Sequence, residues 1–198
     1  MKSNSQIRQE TLSVMQGNWG ISAVIFIIYG IIAGACSCLY AIPTIFLAWP
    51  IAFGVVMLYL KFVRGEQKLT ISEIFSALKE PYYWKSVCLY LLTYIYTFLW
   101  TLLFIIPGII KSLSYALAPY ILADNPDITA EEAIEQSMKM MKGHKMDLFL
   151  MLLGYMGFAL LSIFALCIPL LWIAPYYIAV MAKFYEEVKH EYETSANA

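Results

Sequence analysis

Charge is what this chain has least of. Only 14% of its 198 residues are Asp, Glu, Lys or Arg, and the formal net charge is −1. Soluble domains carry about 25% charged and about 45–50% apolar residues, whereas 61% of this sequence is hydrophobic. A soluble core of this length lacks the polar surface to cover so much apolar material. The bilayer must therefore act as solvent for much of the chain. With no basic excess, nothing points to nucleic acid.

Histidine and cysteine are scarce as well. His144 and His190 stand in charged segments, with no H-E-x-x-H around either. Cys36, Cys38, Cys88 and Cys167 lie in apolar stretches, and the Cys36/Cys38 pair has neither a second pair nor a nearby histidine to complete a zinc tetrahedron. No G-x-S-x-G and no P-loop occurs. Asp124 and Asp127 bracket Asn125-Pro126, which suits the start or cap of a helix better than a catalytic pair. The expectation is a non-enzymatic protein without metal or cofactor.

Long apolar runs are abundant. A crossing helix needs about 20 apolar residues, and candidate spans fall at 20–39, 44–62, 86–106, 108–123, 147–167 and 170–186. Residues 1–18 are polar, and the first run is too long and lacks an A-x-A-like exit, so it reads as a retained span rather than a cleaved signal. The sequence thus predicts an all-α membrane bundle of six transmembrane helices. Proline breaks three double-length runs at Ile42-Pro43, Ile106-Pro107 and Ile168-Pro169, and each is read as a tight hairpin. The prolines recur after 64 and 62 positions. Thr70 with Glu73, and Thr129 with Glu132, form capping-box patterns opening amphipathic segments at 70–80 and 129–145. Ile7, Val14 and Met15 make a weaker version at the start. The chain reads as one membrane domain of three similar units, 1–65, 66–127 and 128–190, each a cytoplasmic interfacial helix followed by a hairpin.

Basic residues set the predicted orientation. Lys61, Arg64, Lys68, Lys79 and Lys85 crowd one connection, and Lys139, Lys142 and Lys145 another. Lys2, Arg8, Lys183 and Lys189 lie toward the termini. Both termini are therefore expected in the cytoplasm and the hairpin tips outside, with Tyr82, Tyr83 and Trp84 in an interfacial aromatic belt.

Lys111 breaks this pattern as the one basic residue outside the inner segments. Its stem can snorkel to the outer headgroups, or its ammonium can contact a ligand. Ser114 and Tyr115 follow it, while Tyr90, Thr93, Tyr94, Thr97 and Thr101 form a polar stripe on the preceding span. That stripe is expected to face the bundle interior, making interhelical hydrogen bonds or lining a ligand cavity with Lys111. Gly30 and Gly34 form G-x-x-x-G, and Gly154 and Gly157 a similar pair, both suited to close helix packing within the bundle or between subunits.

The stretches LLFIIPGIIKSLSYALAPYILADNP (102–126), EEAIEQSMKMMKGHKMDLF (131–149) and APYYIAVMAKFYEEV (174–188), with GNWG at 17–20, resemble the bacterial integral membrane family termed domain of unknown function 975. A looser similarity is to the membrane domain of some glycerophosphodiester phosphodiesterases. The resemblance implies a multi-pass protein of the bacterial cytoplasmic membrane and supplies no catalytic or binding residues. The expected partners are membrane lipids, a second copy of the chain or another membrane protein. Two roles are weighed: lipid or protein binding, and transport of a small solute, lipid or peptide.

Overall fold

The computed structural model describes residues 3–38, 44–164 and 169–196, and every regular element among them is helical. Helix α1 covers Asn4–Met15 and α2 Trp19–Cys38. A π-helical turn at Thr44–Ala48 leads into α3, Trp49–Arg64. A 3-10 helix, Ile71–Leu78, precedes α4 (Tyr82–Leu103), α5 (Ile105–Tyr115) and α6 (Ala118–Asp124). The chain ends with α7 (Ala130–Met140), α8 (Lys145–Phe164) and α9 (Leu170–Ala196).

Among the described residues, three stretches are long and apolar enough to cross a membrane: Phe46–Arg64, Tyr82–Leu103 and Ile105–Asp124. A fourth is reached if α1 and Trp19–Ala35, bent by 95° at their junction, count as one broken span. The six crossings predicted from hydropathy are thus matched only in part. Candidate spans 20–39 and 147–167 run into residues outside the described set. The last, 170–186, belongs to a longer helix that continues through its charged tail to Ala196 and carries Pro175 inside it.

The proline breaks also differ from expectation in detail. The chain reverses at Phe104, whose extended backbone (φ −157°, ψ 139°) caps α5, three residues before Pro107. Pro107 then sits in the first turn of α5, where its missing N–H costs no intrahelical bond. Pro169 lies just before α9, and its carbonyl accepts from Trp172 and Ile173. Pro43 lies outside the described residues. A further break separates α5 from α6, with Pro119 in the first turn of α6. There the buried Ser137 hydroxyl of α7 donates to the Ser114 carbonyl at 2.7 Å and accepts from the Leu117 N–H at 3.2 Å. One side chain from a neighbouring helix thereby satisfies backbone groups that a mid-helix break leaves open.

The packing has a regular plan. Helix α1 packs on α9, the 3-10 helix on α3, and α7 on α6. Each polar segment thus lies against the second helix of the hairpin before it, α1 closing the circle on the last. Helices α3 and α6 pack together, as do α3 and α9, and Tyr120 of α6 stacks on Tyr185 of α9 at 5.7 Å. Phe53, Tyr59, Phe184 and Tyr185 are fully buried in this inner group. Helix α4, by contrast, exposes Tyr94, Phe98, Leu99, Leu102 and Leu103.

This plan corrects the idea of free interfacial helices. Ile7, Thr11 and Met15 of α1, Ile74 and Ala77 of the 3-10 helix, and Ala130, Ala133, Ile134, Ser137 and Met140 of α7 are all buried. Their inner faces are covered by protein rather than left for acyl chains, because burial against packed helices removes the same apolar area from water. The capping boxes expected from sequence differ in outcome. Thr129 and Glu132 form theirs fully, and two bonds from Thr129 hold the Glu132 carboxyl below its ordinary range. Thr70 makes no side-chain cap, and its segment winds as a 3-10 helix.

Candidate functional site

Two glycines mark the closest helix approaches. A Cβ on Gly54 would collide with the Ile74 carbonyl, and one on Gly108 with the Thr101 side chain and Cα. Neither was singled out by spacing, because G-x-x-x-G finds pairs and these act singly. The glycines that do fit the spacing behave differently. Gly30, Gly34 and Gly157 have open space where a Cβ would point, so none makes a close approach within the subunit. Gly154 faces the Arg8 guanidinium.

Lys111 reaches across to α4. Its ammonium lies 4.8 Å from the centre of the Trp100 ring, a cation–π distance. It opens on a cavity of about 310 Å³ lined also by Tyr96, Tyr115, Glu131 and Glu135. Glu131 and Glu135 reach this cavity from α7. Glu135 also pairs with Lys139 at 2.8 Å, an exposed pair worth little by itself.

The cavity uses a different face of α4 from the predicted stripe. Tyr96 and Trp100 point about a quarter turn away from the line of Tyr90, Thr93, Tyr94, Thr97 and Thr101, counting 100° per residue. Tyr94 is 63% exposed and stacks on Phe98. Tyr90 lies against Trp49, and the Thr101 hydroxyl donates to the Thr97 carbonyl at 2.8 Å. The stripe therefore does not line one cavity, since threonine hydroxyls can satisfy themselves on their own helix. Ser114 and Tyr115 are buried; Tyr115 lines the Lys111 cavity and the Ser114 hydroxyl bonds to the Ile110 carbonyl.

A second polar cluster was not anticipated. At the end of α3, Arg64 holds both oxygens of Asp124, at 2.5 and 2.8 Å, and one oxygen of Glu186, at 2.9 and 2.7 Å. Lys189 and the Tyr185 hydroxyl bind the Asp124 carboxylate at 2.5 and 2.9 Å. The Asp124 side chain is 9% exposed and that of Arg64 22%. Two cations and two anions thus join the ends of α3 and α6 to the flank of α9. Asp124 follows Arg64 by 60 positions and Glu186 follows Arg64 by 122. That near-repeat was the available signal: equivalent unit ends carry Arg, Asp and Glu.

The third cluster surrounds Arg8. Its guanidinium lies 5.6 Å from the centre of the Tyr155 ring and shares a cavity of about 330 Å³ with Leu12, Tyr155, Phe158, Ile173 and Tyr176. Among the described residues, no group of three or more His, Cys, Asp or Glu could hold a metal ion. Cys88 is a free, exposed thiol, and Cys167 lies outside the described residues.

Among the described residues the chain is all-helical, with three or four helices long and apolar enough to cross a membrane. The family described as "Protein of unknown function (DUF975)" matches residues 1–114 and 102–192, and the chain belongs to that family. No curated protein and no solved structure matches the chain, so the looser similarity to phosphodiesterase membrane domains gains no support.

Proposed function

We propose that this chain is a six-span protein of the bacterial cytoplasmic membrane, both termini inside, that binds lipids without catalysing a reaction. Three described spans, the apolar composition and the basic inner connections support the membrane part. The observation that carries the binding role is a filled centre with cavities at the edge. Phe53, Tyr59, Phe184 and Tyr185 occupy the middle of the bundle, and the Arg64–Asp124–Lys189–Glu186 cluster ties the ends of α3 and α6 to α9. The Arg8 and Lys111 cavities instead open outward between helices. A conduit needs a path between the two faces, whereas outward cavities meet lipid.

Single cysteines placed along α4 at Thr93, Tyr94, Tyr96, Thr97 and Trp100, in a cysteine-free background, test the alternative of transport. Labelling by a water-soluble maleimide confined to one end of α4 supports the binding role. Labelling that recurs along the whole Tyr96/Trp100 face reveals a water-filled path and replaces this reading with transport.

A further inference from the structure

Arg8 is a half-buried cation beside a largely apolar cavity, with no anionic partner among the described residues. The Asn4 side chain fastens the start of α1 to the Asp147 carbonyl at 3.0 Å, and the Tyr176 hydroxyl donates to the Arg8 carbonyl at 3.2 Å. Those contacts hold α1 along α8 and α9, with the guanidinium lying on Gly154. A Cβ on Gly154 would meet Nη2, the far end of a flexible side chain, so the glycine lets the guanidinium lie close to α8.

The guanidinium itself makes no hydrogen bond or ion pair among the described residues, and its Nε is buried without a partner. Tyr155 is 8% exposed and lines the same cavity, and its buried hydroxyl has only the Tyr176 hydroxyl within reach among the described residues. A buried charge or hydroxyl left unpaired is costly, and native proteins normally satisfy both. Leu12, Phe158 and Ile173 complete an apolar wall. Arg64, on the same molecule, has two carboxylates. Arg8 has the same forked donor, directed into an apolar cavity that opens outward.

We infer that this cavity receives the phosphate of an anionic phospholipid. The guanidinium pairs with the phosphate oxygens through its forked N–H groups, a geometry suited to bidentate, charge-assisted bonds. The Tyr155 hydroxyl donates a further bond, and the first carbons of an acyl chain lie against Leu12, Phe158 and Ile173. Phosphate bound to lipid fits better than free phosphate, because the cavity offers one cation and is otherwise almost wholly apolar. The inference rests on the lipid-binding reading above and names the lipid class and its site.

The test uses the full chain, delipidated in a neutral detergent and studied by native mass spectrometry. Phosphatidylglycerol, phosphatidylcholine and inorganic phosphate are added in separate arms. The wild type is expected to retain phosphatidylglycerol about tenfold more than phosphatidylcholine, the scale of one charge-assisted bidentate pair. Arg8→Gln should abolish that preference, whereas Lys142→Gln, on an exposed turn, should keep it. Ile173→Trp, which fills the cavity and leaves Arg8 intact, should weaken phosphatidylglycerol retention if Arg8→Gln proves poorly folded. Equal retention by wild type and both cavity variants overturns the site while leaving lipid binding intact. Absence of any lipid adduct on the wild type overturns both. Inorganic phosphate that adds to the wild type and displaces phosphatidylglycerol makes this a soluble-anion site and overturns the lipid assignment.

Discussion

Arg64 and Arg8 are the same side chain in two opposite electrostatic settings. Arg64 ends α3 and is gripped by Asp124 and Glu186, with Lys189 balancing the second negative charge. Arg8 lies against Tyr155 and Gly154 with no anion beside it among the described residues. The paired site is complete and joins helices that are distant in sequence. The unpaired one is incomplete and faces an open cavity. A charge that the fold has already balanced is structural material, while one left unbalanced is available to a ligand.

The contrast breaks most sharply at Asp124. Asp124→Asn leaves Arg64 and Lys189 facing each other without their shared carboxylate. Breaking a buried pair costs about 3–5 kcal/mol, and partial exposure here brings the expectation to about 2–3 kcal/mol, read as a lower melting temperature in detergent. An unchanged melting temperature would show that the cluster joins nothing of consequence. Arg8→Gln should behave in the opposite way, leaving the melting temperature of delipidated protein unchanged or slightly raised, by about 0.5 kcal/mol or less, since it removes an unbalanced charge.

Between these extremes, Gly54→Ala should destabilise by about 1–3 kcal/mol, because backbone rather than a flexible side chain blocks the new methyl group. Gly30→Ala, with open space around it, should be neutral in the subunit's melting temperature. A loss at Gly30 that depends on protein concentration would instead reveal contact with a second copy. Ser137→Ala removes the hydroxyl that serves both the Ser114 carbonyl and the Leu117 N–H, with an expected cost of about 1–2 kcal/mol in the same melt. Thr129→Ala should cost about 1 kcal/mol in the same melt for a lost helix cap. Its partner Glu132 adds a pH signature. The carboxyl is held below its ordinary value, so its contribution is complete above about pH 4.5 and declines as pH falls through the lowered value. The wild type should lose thermal stability across that acidic window more steeply than Glu132→Gln.

Some of the arrangement was legible from spacing because it depends on neighbours in the chain. The Thr129–Glu132 box needs only residues three apart, and it forms. The Tyr/Thr stripe on α4 misled because a 3.6-residue period identifies a face but not what covers it. Lys111 was recognisable as unusual from its isolation, but its position over Trp100 depends on where the chain reverses, at Phe104 rather than at Ile106-Pro107.

What the sequence determined by itself was the helical class, the apolar character and the family resemblance, since each follows from composition or local patterning. Tertiary structure alone decided which charges were balanced. Arg64 and Arg8 look alike in sequence, each a lone arginine near an apolar run, and neither has a carboxylate at i±3 or i±4. Asp124 reaches Arg64 from 60 positions away and Glu186 from 122, whereas folding brings only apolar and tyrosine side chains to the Arg8 guanidinium. Coulomb attraction depends on distance in space, and separation along the chain does not encode it.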